Sequence, residues 1–244
     1  METIETNNRR DFVIKAATVG AFVALGGISA FVAPRLKASE IFLRPPGAVE
    51  EEDFLATCIK CGQCIQVCPY HTLSFLDIGK GHLVGTPYVD ARARGCYLCD
   101  LLPCVLACPS GALDHHVSVA KDVKMGVAFL KRPDTCLAMR GEMVKAKDLE
   151  RVLSHSSANE REIKVLQNYK KYENKPCTIC ADMCPYPQKD KAIAMMQDKK
   201  GRWYPQIRDE CVGCGVCEEL CPATEASLVI LPRVSYASIY KGQI

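Results

Sequence analysis

Sixteen cysteines stand among 244 residues, and their spacing is where the chemistry of this chain lies. Cys58, Cys61, Cys64 and Cys68, followed by Pro69, form a C-x2-C-x2-C-x3-C-P run. That spacing is a ligand set for iron–sulfur clusters. Three thiolates two residues apart can wrap a tight loop round one cubane and leave one iron corner open. The fourth cysteine is expected to have entered a helix, pointing away to close a neighbouring cluster. Gly62 is expected where a Cβ would crowd the cluster. Pro69 fixes φ and steers the chain out of the loop.

A single run requires a partner, and Cys96, Cys99, Cys104 and Cys108, followed by Pro109, supply one. Its middle gap is lengthened and places Pro103 just before Cys104. Crossed fourth ligands then give one cluster to Cys58, Cys61, Cys64 and Cys108, and its neighbour to Cys96, Cys99, Cys104 and Cys68. A second pair follows the same rule. Cys211, Cys214, Cys217 and Cys221 form a complete run before Pro222, whereas Cys177, Cys180 and Cys184 before Pro185 lack a first ligand, Asn174 standing in its place. Cys136 is the cysteine left over, with 40 residues between it and Cys177. The expected sets are Cys136, Cys177, Cys180 and Cys221, and Cys211, Cys214, Cys217 and Cys184. Closing so long a gap costs little, because closure entropy rises slowly with loop length. The alternative is a free thiol at Cys136 and a three-iron cluster.

Other chemistries fit less well. Zinc sites use two C-x2-C pairs per ion and have no use for a repeated x3-C-P ending. Disulfides between cysteines two residues apart would hold no fold together. No C-x-x-C is followed by His, as haem attachment would require. His115 and His116 read as solvated loop residues. There is no Gly-rich phosphate loop after a convincing strand, and no basic block interleaved with aromatics for nucleic acid. With four thiolates on every cluster no iron is open to a substrate, so electron transfer rather than catalysis is expected. The formal charge is only +3, and four oxidised cubanes at about −2 each would make the loaded protein acidic. Partners with basic patches are therefore expected.

The elements that must position these ligands are short. Glu50 to Ala56 reads as a helix leading into the first loop. Leu83 to Val89, Trp203 to Ile207 and Leu228 to Leu231 read as strands. Segment 140–175 carries nine Lys/Arg and six Asp/Glu and reads as a solvated helical insertion, with a docking element as the alternative. Ser157 to Glu160 resembles a capping box, and Ile163, Leu166 and Tyr169 give the next helix an apolar stripe. Leu149, Val152 and Leu153 do the same for an earlier helix. The expected fold class is α+β: two tandem ferredoxin-like two-cluster modules at 50–135 and 136–232, and a tail at 233–244. Ahead of them, 1–39 carries Arg9-Arg10 and then an uncharged, weakly hydrophobic run over 16–33. This reads as a twin-arginine export signal, either cleaved or kept as an anchor helix, since its 18 residues reach the lower limit for spanning a bilayer. Export of a folded, loaded protein suits iron–sulfur chemistry, because unfolded thiols would be oxidised outside.

Over nearly its whole length the chain resembles the ferredoxin-type proteins of the NapG/MauM family. The likeness rests on the twin-arginine leader, Pro103-Cys104, Thr135-Cys136-Leu137, Asp190-Lys191-Ala192-Ile193, the run Cys211 to Cys217, and Ile230-Leu231-Pro232-Arg233. The chain departs from the family pattern in the long gap between Cys136 and Cys177. The resemblance implies four [4Fe–4S] clusters, a periplasmic location, and an integral-membrane, NapH-like iron–sulfur partner that oxidises quinol. Electrons would pass to a downstream periplasmic redox protein, on the NapG side nitrate reductase. Two alternatives stay open: an electron-transfer subunit of another respiratory complex, of the molybdenum or nitrite reductase type, or a maturation factor using its clusters structurally. Replacing Arg9 and Arg10 with lysine should leave the protein in the cytoplasm, checked by fractionation. Unchanged periplasmic accumulation would refute the export reading.

Overall fold

The computed structural model describes residues 41–240 except Ser156 and Ala158, so the expected leader at 1–39 and the last four residues of the tail lie outside the described residues. In chain order the elements are α1 (Glu51–Thr57), α2 (Gln63–Gln66), β1 (Leu73–Phe75), β2 (Pro87–Val89), α3 (Pro103–Leu106), β3 (Gly126–Leu130), α4 (Leu137–Arg140), α5 (Ala146–Leu153) and α6 (Glu160–Lys170). They continue with α7 (Ile179–Asp182), α8 (Lys189–Ala192), β4 (Ile193–Gln197), β5 (Trp203–Ile207), α9 (Val216–Glu219), β6 (Leu228–Pro232) and α10 (Tyr236–Tyr240). This is a mixed α+β chain of short elements. Among the described residues no helix is long and apolar enough to cross a membrane.

The strands form three antiparallel pairs, β1–β2, β3–β6 and β4–β5. β4 and β5 are a hairpin in register from Ile193 opposite Ile207 to Gln197 opposite Trp203. Its turn is tied by Asp198, whose carboxylate accepts from the backbone N–H groups of Lys200 and Arg202. In the N-terminal half, β2 is shorter than the sequence suggests: 78–83 winds into 3-10 turns, and only Pro87–Val89 pairs with β1. Beside that pair, Ala48 bridges Leu113. In the C-terminal half, β3 pairs with β6, from Gly126 opposite Pro232 to Leu130 opposite Leu228. The N-terminal half thus has one strand pair and an isolated bridge, and the C-terminal half two strand pairs. β3 precedes residue 136 in sequence yet pairs with the last strand.

The insertion at 140–175 is packed rather than solvated. Leu149, Val152 and Tyr169 are buried, because α5 and α6 turn one face to the core and leave their lysines outside. The cap of α6 is Asn159, which accepts from the N–H groups of Arg161 and Glu162, so the capping motif starts two residues later than the sequence suggests. Its inward stripe is also rotated. Glu162 and Tyr169 are buried while Ile163 is exposed. Glu162 is a carboxylate inside the protein, and Arg94 at 3.3 Å and His71 at 3.0 Å meet it there. Asn159 Nδ2 donates to the Pro69 carbonyl at 2.7 Å. At its base the insertion is drawn shut: Met143 bridges Pro176, Val144 N–H donates to the Lys175 carbonyl at 3.0 Å, and Asn174 N–H donates to the Val144 carbonyl at 2.8 Å.

Further ties run between the halves. Arg92 donates to the carbonyls of Glu218, Cys221, Ala223 and Thr224. These include carbonyls left orphaned at the end of α9. Arg151 donates to the Arg92 and Glu219 carbonyls, and Arg233 reaches back to Glu51 at 2.9 Å. The residues from Ile41 onward accordingly make one compact unit. Leu149→Ala should lower stability by about 2–5 kcal/mol, the cost of a buried leucine cavity, read as a drop in the denaturation midpoint of the anaerobic protein. A change near zero would mean that the insertion is only a solvated appendage.

Candidate functional site

Four short helical turns position the cysteines. α2, α3, α7 and α9 are each four residues long and hold Cys64, Cys104, Cys180 and Cys217 at their second position. Cys68, Cys108, Cys184 and Cys221 come four residues later, just past the C-cap residue of each turn. They are therefore not inside the helices, as the sequence reading has them. Four residues at 1.5 Å rise carry the last thiol about 6 Å along the helix axis from the third, which aims the two at different neighbours. Pro103 opens α3 at a position where its missing N–H costs nothing.

The thiols lie in groups close enough to act on one another's ionisation. Burial pushes the Cys64 thiol up to about 11, with Cys58, Cys108 and Cys61 adding to the effect. Cys104 is pushed up to about 12, by burial first and then by Cys68, Cys99 and Cys64. Cys177 rises to about 12, with Cys221 and Cys136 beside it. Cys180 and Cys217 lie well above the ordinary thiol value; burial leads, followed for Cys180 by Cys177, Cys221 and Cys136, and for Cys217 by Cys214, Cys211, Cys180 and Cys184. Cys136, in particular, stands with Cys177, Cys180 and Cys221 despite its distance along the chain.

Three of the sets line cavities. Cys58, Cys61, Cys64 and Cys108 line one. Cys68, Cys96, Cys99 and Cys104 line a second, and Cys184, Cys211, Cys214 and Cys217 a third. Four thiolates on one zinc at about 2.3 Å would sit about 3.8 Å apart. Among the described residues no three His, Cys, Asp or Glu side chains close on a point in that way. Four cysteine thiols lining one cavity are the donor set that an iron–sulfur core takes. Buried thiols resist ionisation alone, and a metal core is what would hold them as thiolates.

Hydrogen-bond donors are turned towards the sulfurs. Thr72 N–H approaches Cys68 Sγ and Ser227 N–H approaches Cys221 Sγ, both at 3.4 Å. For Cys108 burial pushes upward, but donors from Leu113, Ser110 and Gly111 outweigh it and bring its thiol below the ordinary value. Ser227, itself buried, has its hydroxyl 3.8 Å from Cys221 Sγ and 3.0 Å from Thr135 Oγ1. Sequence reasoning missed this serine; its place six residues after Cys221 is the one signal that could have flagged it. At Gly62 φ is +77°, a backbone conformation that favours glycine, and a Cβ there would lie 2.9 Å from the tip of the Phe75 ring. Of the two histidines, His116 pairs with exposed Asp114 and His115 bonds the Cys108 carbonyl at 2.9 Å.

Comparison with known proteins adds the following. A family model described as a 4Fe-4S dicluster domain matches residues 57–112. The methylamine utilization ferredoxin-type protein MauM of Methylorubrum extorquens is 34% identical over 93% of this chain and 90% of its own. The ferredoxin-type protein NapG of Escherichia coli is 32% identical over 98% of this chain and 90% of its own. MauM of Paracoccus denitrificans is 36% identical over 92% and 88%. No solved structure matches. Ser227→Ala should lower the midpoint potential of one centre, since a donor to sulfur favours the reduced, more negative state. Redox titration followed by EPR reads the shift, with iron content unchanged; four unmoved potentials would contradict the role given to Ser227.

Proposed function

The chain belongs to the NapG/MauM family of ferredoxin-type iron–sulfur electron-transfer proteins, and on that premise we propose that it carries four [4Fe–4S] clusters as a relay between a membrane donor and a periplasmic acceptor. A cubane supplies reversible one-electron chemistry at a potential set by charge, burial and hydrogen bonds to its sulfurs. The observation that carries the reading is the meeting of Cys136 with Cys177, Cys180 and Cys221, which completes four sets of four thiols. The proposed ligands are Cys58, Cys61, Cys64 and Cys108; Cys96, Cys99, Cys104 and Cys68; Cys136, Cys177, Cys180 and Cys221; and Cys211, Cys214, Cys217 and Cys184. The chain's own residues exclude water, donate hydrogen bonds to sulfur and hold the loops at fixed spacing.

The donor in this reading is an integral-membrane, NapH-like iron–sulfur protein that oxidises quinol. The chain is exported by the twin-arginine route, and its acceptor is the electron-transfer chain of a periplasmic nitrate reductase. A second reading, in which the acceptor belongs to methylamine utilization, draws support from the MauM relatives, whose 34% and 36% identity is as high as the 32% of NapG. Reversible reduction by a quinol-linked donor separates both from a maturation factor with purely structural clusters.

Anaerobically purified protein should contain about 16 iron and about 16 acid-labile sulfide per chain, four of each per cubane. Zinc in their place would overturn the reading. Cys136→Ser should convert one cubane to a three-iron centre or lose it, with the spectra of the two N-terminal centres intact. Full iron content and unchanged spectra in that variant would show that Cys136 is not a ligand.

A further inference from the structure

The two halves touch at their cysteines. The backbone N–H of Cys96 donates to the carbonyl of Cys214 at 2.7 Å, main chain to main chain. No side chain separates the two loops. A Cβ on Gly95 would lie 2.5 Å from the Val216 nitrogen and 2.7 Å from the Gly215 carbonyl carbon. A Cβ on Gly215 would lie 2.8 Å from the Ala91 Cβ. The contact is also fastened on both sides: Thr72 Oγ1 donates to the Gly95 carbonyl at 2.7 Å, and Gly95 N–H donates to Glu219 Oε2 at 2.8 Å. Inside each half two sets share a helical turn, α2 carrying Cys64 with Cys68 just past its end and α9 carrying Cys217 with Cys221 just past its end.

We propose that the Cys96–Cys214 contact is the electron junction between the two halves, placing the four thiol sets in series in the order Cys58 set, Cys96 set, Cys211 set, Cys136 set. The order in space thus differs from the order in sequence, in which Cys136 precedes Cys211. This rests on the proposal that each set holds one cubane. At the junction one electron passes. The centre on the Cys96 side is oxidised by one equivalent and the centre on the Cys211 side reduced by one, with no bond made or broken and no proton required; the reverse transfer balances equally. Electron tunnelling falls steeply with distance and is better carried by covalent and hydrogen bonds than by gaps. A direct main-chain bond between two ligand residues is therefore a suitable bridge. Cys61 is the exposed cysteine of the sixteen, so the Cys58 set is the end of the series nearest solvent.

The test uses the full chain, loaded and purified anaerobically, then reduced with dithionite and read by EPR for spin–spin interaction between centres. The junction predicts an interaction between the halves in addition to one inside each half. Gly95→Ala forces the loops apart and should lose the interaction between halves while keeping that within each half. Where that variant fails to fold, two ligand variants keep the question open to a negative answer. Cys99→Ser, which disturbs the centre at the junction, should abolish the interaction between halves, and Cys61→Ser, which disturbs the far centre, should leave it. Full iron content with no interaction between the halves, or one that survives Cys99→Ser unchanged, would overturn the junction alone. Iron well below about 16 per chain would sink the four-cubane reading itself, and the junction with it.

Discussion

Everything in this fold depends on one offset: the third and fourth cysteines of each run stand four residues apart across a single helical turn. That step separates their thiols along the helix axis, so one helix serves two cavities. Cys68 lines a cavity with cysteines of the second run and Cys108 one with cysteines of the first, while Cys184 lines one with cysteines of the last run. In the proposed reading, what the thiols bind ties α2 to α3 and α7 to α9. Such elements are far too short to hold helical structure on propensity alone. Their persistence comes from the shared cavities and from the apolar residues behind them, such as Phe54, Val105, Ile179 and Leu220, all essentially buried.

A second layer of polar ties holds the halves to each other. Arg92 collects four carbonyls of the loop that carries Cys221, and Arg151 in the insertion fastens Arg92 in turn. Glu162 brings α6 onto Arg94 and His71 of the N-terminal half. A buried carboxylate with its partner removed is costly, so this contact also fixes how the insertion sits. The insertion thereby acts as a clasp over both halves and, through its closed base, returns the chain from Cys136 to Cys177. Its surface lysines remain exposed, which explains a composition that looks solvated while the helices beneath are not.

The grouping of the cysteines was legible because their spacing encodes it: x2 gaps make a loop, and x3-C-P marks the fourth position. Counting alone singled out Cys136, which lies beside Cys177 and Cys180. What could not be read was whatever depends on contact between distant segments. Phe75 sits over Gly62, a neighbour only in space. β3 belongs with β6, yet nothing in Gly126–Leu130 names its partner, since the strand order is set by tertiary pairing. Glu162 lies on the inner face of α6, beside Ile163 of the expected apolar stripe, because Arg94 and His71 of the other half meet it there. At Gly95 and Gly215 the missing Cβ atoms let two cysteine loops meet, a contact that no local spacing signals.

The most direct measurement is an anomalous difference map at the iron edge, from crystals of the full chain grown and kept anaerobically. The account predicts four peaks, each within bonding distance of four cysteine sulfurs, with Cys136 on the same centre as Cys177, Cys180 and Cys221 and with every fourth cysteine on the partner run's centre. Three peaks, a centre lacking Cys136, or fourth cysteines bound to their own run's centre would contradict it.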